Sequence, residues 1–410
     1  MNAALAPLAE RNFRLLFLAQ AAWLLGSWMT PVALAFAVLE QTTSPTALGL
    51  VLGAEAVPLA LLLLVGGVWA DRLPRMRVMV GADLISFASQ GLLAVLIISG
   101  RAEIWQMAVL SAVGGAADAF HTPAWVGLLP QTVPAAMLQQ ANALRHLESN
   151  AARVVSPLIA GVIVSTAGAG WAIAVDAVSF LIAAAVLLGI QVTDLRGADR
   201  PAAHRFTAQL SEGWEVVRSR GWLMAMMLDT ALWMLVVYAP YEVLGPLVAK
   251  QHLGGARAWA LVAAGYGVGT IGGGLLGLRL RPRRPLLVAV LINAAFVPVL
   301  ALLAVATPAW VIAGAAVPAG IATSLYLVLW ETTLQERVPR EALARVASFE
   351  RLAVYAPLPL GMAVTGPIAG ALGVSTTLWL AAGWLGVSTI FLLSIPSVRG
   401  LERLEAATTG

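Results

Sequence analysis

Apolar residues fall in blocks of about twenty or more from residue 13 to residue 395, separated by short clusters of charge, glycine and proline. The blocks lie at about 13–38, 46–70, 78–98, 104–126, 138–165 and 170–190, then at about 222–249, 256–278, 285–306, 309–330, 342–372 and 375–395. A hydrocarbon core about 30 Å thick is crossed by about 20 helical residues. Inside it the backbone must satisfy its own hydrogen bonds, which a helix does. The pattern therefore predicts an all-α membrane protein with twelve transmembrane helices. The one long polar stretch, 191–220, separates six helices from six. Phe206, Leu210, Trp214 and Val217 recur in it at helical spacing, as in an amphipathic surface helix. The expected organisation is a six-helix half over 1–190, a cytoplasmic linker over 191–220 and a second half over 221–410.

The halves repeat. An offset of 205 places Trp125 on Trp330, Leu129 on Leu334, Val133-Pro134 on Val338-Pro339 and Gly161 on Gly366. An offset of 207 places Gly66-Gly67 and Arg72 on Gly273-Gly274 and Arg279. Repeated halves about an axis along the membrane normal are a transporter architecture, with the substrate site between them near the midplane.

Composition narrows the chemistry. Only 11% of residues are charged and 60% are hydrophobic, against about 25% charged in soluble domains. The chain has no cysteine, which excludes disulfides and thiolate chemistry. Its four histidines are scattered without metal-ligand spacing. Lys250, the only lysine, is followed by Gln251, so no phosphate-binding loop is present to hydrolyse ATP. No metal, cofactor or enzyme constellation is expected. The net charge of +4 resides in loops, which favours membrane orientation over nucleic-acid binding. Loops on the side of the termini carry 21 of the 25 Lys and Arg residues; the opposite loops carry Arg101, Lys250 and Arg257. The positive-inside rule places both termini in the cytoplasm, in the plasma (inner) membrane. The charged start, MNAALAPLAERNFRLLF, reads as a cytoplasmic tail into a retained first helix. Trp105, Trp171, Trp259, Trp310 and Trp379 fall near the outer helix ends, where indoles favour the interface.

Gly67-Val-Trp-Ala-Asp71-Arg72-Leu-Pro-Arg75-Met-Arg77, between the second and third helices, resembles the signature loop of the major facilitator superfamily. Arg153-Val-Val-Ser156-Pro157-Leu-Ile-Ala-Gly161 resembles the fifth-helix motif of its proton-coupled antiporters, with Ser156 at a usual glycine position. Ala141-Asn-Ala-Leu144 and Gln335-Glu-Arg-Val-Pro339, with Arg345 and Ser348 beyond, are similar to the branch of macrolide-efflux and enterobactin-export proteins. The resemblance covers essentially the whole chain. The arginine that many proton antiporters carry in the fourth helix has no counterpart. The resemblance implies alternating access, a gating role for Asp71 with Arg72, Arg75 and Arg77, and a monomer. Read from the residues alone, the loop charges fix the turn and topology, and Pro157 with Gly161 permits a bend or ordinary close packing.

Acids within the apolar blocks are functional candidates, since an Asp at a helix centre costs about 2.5–3.5 kcal/mol on insertion scales. Those placed in the hydrocarbon zone are Glu55, Asp83, Asp118, Asp176 and Asp229. Asp118, His121 and Trp125 share one helix face, as do Asp229 and Trp233. A proton carrier needs a carboxylate whose protonation follows its solvation, so Asp118, Asp229, Glu55 and the relay-capable His121 are the proton-coupling candidates. The alternative for each is a packed acid held by a hydroxyl or carbonyl. Asp83 is expected to partner the Arg72–Arg77 loop and Asp176 to be structural. Arg145, Glu148 and Arg153 are spaced to pair along the fifth helix. Trp23, Trp28, Trp233, Tyr238, Tyr241, Tyr326 and Trp330 are the substrate-cavity candidates. Aromatics with few fixed charges suit a large amphipathic or cationic small molecule. The expected function is proton-coupled export of drug-like or secondary-metabolite molecules, siderophores included. The rivals are a nutrient symporter or uniporter of the same fold and a transport-inactive membrane sensor.

Overall fold

The computed structural model describes residues 3–191 and 214–403, with residues 3, 4, 63–72, 135, 340, 341, 344, 345 and 348 described by backbone alone. Among these residues there is no strand. The helices are α1 Arg11–Gln41, α2 Pro45–Arg72, α3 Arg75–Ile98, α4 Ile104–Leu128, α5 Leu138–Ala167 and α6 Ala169–Leu187. They continue as α7 Gly221–Leu253, α8 Ala256–Gly277, α9 Pro285–Ala304, α10 Ala309–Arg337, α11 Arg340–Tyr355 running on as Pro357–Leu372, and α12 Val374–Ser394. Eleven of these segments are long and apolar enough to cross a membrane. The other, α4, is 25 residues long and carries Gln106, Asp118 and His121. Each predicted apolar block thus corresponds to one helix. Most of the expected linker helix, Phe206 and Leu210 included, lies outside the described residues. Its last turn packs the Trp214 ring 5.7 Å from that of Phe349.

The packing repeats as the sequence does. In the first six helices α2 lies along α4, α3 along α6, and α1 along α6; in the second six α8 lies along α10, α9 along α12, and α7 along α12. The sets meet chiefly where α5 crosses α8 and where α2 crosses α11. Both crossings use the repeated glycine. A Cβ on Gly161 would stand 2.4 Å from the Ala260 Cβ, and one on Gly366 would stand 2.3 Å from the Thr46 Cα. Without a hydrophobic force between helices in lipid, such close backbone approach supplies much of the association.

Both crossings lie toward the face opposite the termini, and two hydrogen bonds join the sets there. Lys250 donates to the Leu39 carbonyl in the last turn of α1. Arg257 Nε donates to Ser165 Oγ, 2.7 Å away, in the last turn of α5. Each cation stands by a helix C-terminus, where the dipole favours positive charge. Two of the three basic residues expected on that face therefore join the two sets there. A hydrogen bond to a charged group contributes about 1.5–3 kcal/mol, so removing one shifts an open–closed equilibrium by on the order of tenfold. The cysteine-free chain permits a clean reporter. A cysteine replacing Ala263 should react about tenfold faster with an impermeant maleimide from that face when either Lys250→Ala or Arg257→Ala is added, and on the order of a hundredfold faster with both. An unchanged rate would show that these contacts do not close the face.

Candidate functional site

Between the two sets lies a cavity of about 500 Å³. α1 contributes Trp28, Pro31 and Val32; α5 contributes Arg153 and Pro157; α8 contributes Trp259, Ala263, Tyr266 and Gly267. α10 adds Thr323, Tyr326, Leu327 and Trp330, α11 adds Glu350, Val354, Tyr355 and Leu358, and Asn293 enters from α9. The largest share comes from α7: Asp229, Thr230, Trp233, Met234, Tyr238, Tyr241 and Glu242.

Local sequence explains why α7 dominates. It is α-helical over Gly221–Trp233 and Ala239–Val248, with π-helical turns at Met234–Tyr238 and Ala249–Leu253. Pro240 removes a backbone donor at the junction with the first of these turns, and a wider turn absorbs the mismatch. The extra residue per turn brings Trp233, Met234, Tyr238 and Tyr241 onto one wall. Trp233 stacks on Tyr238 at 5.5 Å and 19°, and Tyr241 lies 5.0 Å from Trp259. Tyr238 lies next to Glu242 and Ser388 of α12 next to Asp229, and the Thr230 and Tyr326 hydroxyls meet at 3.2 Å.

A break in α1 positions Trp28. The helix stops at Ser27 and restarts at Thr30. Pro31 has no N–H to offer the Ser27 carbonyl, and the Met29 N–H turns to the Gly26 carbonyl at 2.7 Å. Trp28, at this break, lies under the Arg153 guanidinium at 4.7 Å. Among the described residues the cavity wall thus holds three acids, Asp229, Glu242 and Glu350, and one cation, Arg153, among aromatic faces.

Of the aromatics singled out in the sequence, Trp28, Trp233, Tyr238, Tyr241, Tyr326 and Trp330 line this cavity. Trp23 stands elsewhere, stacked on His121 at 4.8 Å and 3°. Asp229 lines the cavity, whereas Glu55, Asp118 and His121 do not. They belong to a second polar group inside the first six helices. There His121 Nε2 lies 3.4 Å from Asp83 Oδ1, and Asp118 is within electrostatic reach of Glu55, Asp176 and Asp83. Asp83 thus lies against His121, while the side chain of Arg72, one of the loop arginines expected beside it, lies outside the described residues. Asp176 Oδ2 accepts a 2.6 Å hydrogen bond from the Thr30 hydroxyl.

In the antiporter-like motif, Arg153 and Pro157 line the cavity, Ser156 is buried and Gly161 packs against α8. In the loop motif, the side chains of Gly67, Asp71 and Arg72 lie outside the described residues. Arg75 donates to the Gly127 carbonyl at the end of α4, and Arg77 is exposed. Along α5, Arg145 is within electrostatic reach of Glu148, and both arginines also lie on rings: Arg145 5.3 Å over Trp125 and Arg153 over Trp28. Trp105, Trp171, Trp310 and Trp379 are 48–72% exposed, as an interfacial belt requires, but Trp259 turns inward to the cavity.

Sequence reasoning missed two acids. Glu242 follows Tyr238 by four residues, one helical turn along the same wall, and that spacing was a usable signal. Glu350 lies in the predicted block 342–372 but stands beside Arg351, one of the charges counted to the side of the termini, whereas α11 carries it into the cavity wall.

A bundle whose two helix sets repeat each other's packing around a central aromatic cavity is a membrane transporter. Residues 2–408 match the transmembrane secretion effector family of the major facilitator superfamily, and the chain belongs to that family. It is 24% identical over 395 residues to macrolide efflux protein A of Streptococcus pyogenes, covering 95% of this chain and 97% of the relative. It is 28% identical over 397 residues to the multidrug efflux pump Tap of Mycolicibacterium fortuitum, covering 92% and 94%. The fold is similar to that of a bacterial homologue of the lysosomal transporter Spinster in an inward-facing, unoccupied conformation (TM-score 0.73, 17% identity, 97% and 99% covered). It is also similar to that of the nucleoside transporter NupG (TM-score 0.70, 13% identity, 95% and 98% covered).

Proposed function

We propose that this transporter is a proton-coupled antiporter that exports lipophilic, drug-like or secondary-metabolite cations by alternating access. The observation that carries the reading is the cavity itself, with three carboxylates and one guanidinium set among tryptophan and tyrosine faces. Desolvated cation–π contacts contribute about 2 kcal/mol each, and ionised acids in such a cavity attract the same ligands. The efflux names of the relatives support the outward direction. The carboxylates favour a cation over an anionic siderophore. In the cycle, protons load onto acids while the cavity faces outward, and inward opening exchanges them for the cation. Asp229, in the cavity wall, is the first candidate carrier; Asp118, Glu55 and His121 form a second group inside the first six helices. Residues 1–190 and 221–410 are the two rocking bodies, within one monomer. The arginine-rich face lies in the cytoplasm with both termini.

Cells that lack their own pumps and express this chain should exclude ethidium, and a protonophore should abolish the exclusion. Trp233→Ala and Glu242→Gln should each raise the half-saturating ethidium concentration about 5–30-fold, the equivalent of about 1–2 kcal/mol of lost cation binding. Equal accumulation in expressing and control cells would contradict export. Unchanged half-saturation in both variants would contradict the assignment of the cavity.

A further inference from the structure

Asp176 of α6 is 1% exposed and lies in an apolar helix, yet it touches the break in α1. Its Oδ2 accepts the Thr30 hydroxyl at 2.6 Å. Its Oδ1 is buried beside Gly26, where a Cβ would stand 2.3 Å away, and makes no hydrogen bond. The neighbouring Ser179 hydroxyl is turned to the Asp176 main-chain carbonyl at 2.7 Å. Thr30 begins the second segment of α1, so the positive end of that segment's dipole faces the carboxylate. The Thr30 hydroxyl also has a second acceptor, the Gly26 carbonyl four residues back, at 3.5 Å.

Resting on the proton-coupled reading above, we propose that Asp176 is a positioning residue for transport, acting on the cavity through the α1 break. Ionised, it holds the Thr30 hydroxyl and keeps α1 broken. Protonated, it no longer needs that donor, and the hydroxyl returns to the Gly26 carbonyl, the i−4 bond that serine and threonine make within helices. The break then tightens, and Trp28, two residues before Thr30, shifts beneath Arg153. Freed from the indole face, the guanidinium is available to the cavity acids and displaces a bound cation. The exchange has the sign that antiport requires, with a proton taken up as a cation leaves. Glu55 of α2 and Asp118 of α4 are the charged groups that face Asp176. On the other packed elements, Asp83 of α3 lies 3.4 Å from His121, and Arg153 of α5 lies on Trp28. Among these neighbours the acids outnumber the cations, so charging of Asp176 depends on Glu55 and Asp118 as well.

The test uses the whole purified chain in lipid nanodiscs without substrate. The fluorescence of Trp28, isolated by subtracting the spectrum of Trp28→Phe, is followed from acid to alkaline pH. The expected result is a titration in the wild type that is lost in Asp176→Asn and in Thr30→Val and restored in Thr30→Ser. Thr30→Val keeps the test decisive should Asp176→Asn fail to fold. A titration that persists in either variant, or a flat wild-type signal, overturns the inference. Proton flux measured on the same preparation separates the two claims. Flux with a Trp28 signal indifferent to Asp176 removes this inference alone, whereas absence of flux removes the coupling on which it rests.

Discussion

Asp229→Asn is expected to reduce substrate-driven proton movement to the level of protein-free liposomes. The side chain stands in the cavity wall on α7, 8% exposed, next to Ser388 of α12. Asparagine preserves its volume, so the fold should survive. It cannot take up and release a proton. A cation that enters the cavity should still bind, because Glu242 and Glu350 remain, and its affinity should fall by less than about tenfold. Binding without coupled proton movement is thus the signature sought. The same change at Asp118 tests the second group of acids, which does not touch the cavity, and Glu55→Gln completes the comparison. If Asp229→Asn retains full proton movement while Asp118→Asn or Glu55→Gln loses it, the carrier lies inside the first six helices.

Gly366→Leu is expected to stop transport and to lower stability. The repeated glycines mark the crossings on which the halves meet, and at Gly366 the obstruction is backbone. A Cβ would lie 2.3 Å from the Thr46 Cα and 2.5 Å from the Pro45 carbonyl oxygen. No side-chain rotation relieves such a contact, so α2 and α11 must separate. Overpacking of this kind costs about 1–3 kcal/mol, and more for a larger side chain. Gly161→Ala should behave similarly, though less severely, because its nearest neighbour is the Ala260 Cβ at 2.4 Å. Gly370→Ala is the control, since nothing lies within 4 Å of the added carbon. Thermal unfolding monitored with transport should therefore rank Gly366→Leu below Gly161→Ala and leave Gly370→Ala near wild type. A Gly366→Leu protein with normal melting and normal transport would contradict close approach at this crossing.

What the sequence revealed and concealed follows from which signals are local. Each apolar block became a helix because about twenty residues must cross the hydrocarbon whatever they pack against. The repeat was legible at Gly161 and Gly366 because a crossing with no room for a side chain constrains a single residue. Helix facing was less legible. Asp118 and Asp229 have the same type of setting in sequence, but α7 turns Asp229 to the cavity while α4 turns His121, one turn beyond Asp118, to Trp23 and Asp83. Trp259 shows the same ambiguity: an indole at a helix end suits the interface and a cavity equally, and only packing against Tyr241 decides. The π-turn after Trp233 lies beyond a periodicity of 3.6, and Glu350 was hidden by its arginine neighbour. The break at Pro31 was not read from the sequence, and its partner, Asp176, is 146 residues from Thr30.

The measurement that bears most directly on the central claim is substrate-driven proton movement in proteoliposomes containing the wild-type chain and a trapped pH-sensitive dye. Macrolides and permanently charged cationic dyes are the substrates, with Asp229→Asn, Asp118→Asn and Glu55→Gln alongside. Proton-coupled antiport predicts that at least one compound drives proton flux opposite to its own movement and that one acid substitution abolishes it. Radiolabelled substrate crossing with no proton flux in any preparation would contradict coupling and leave a uniporter of the same fold.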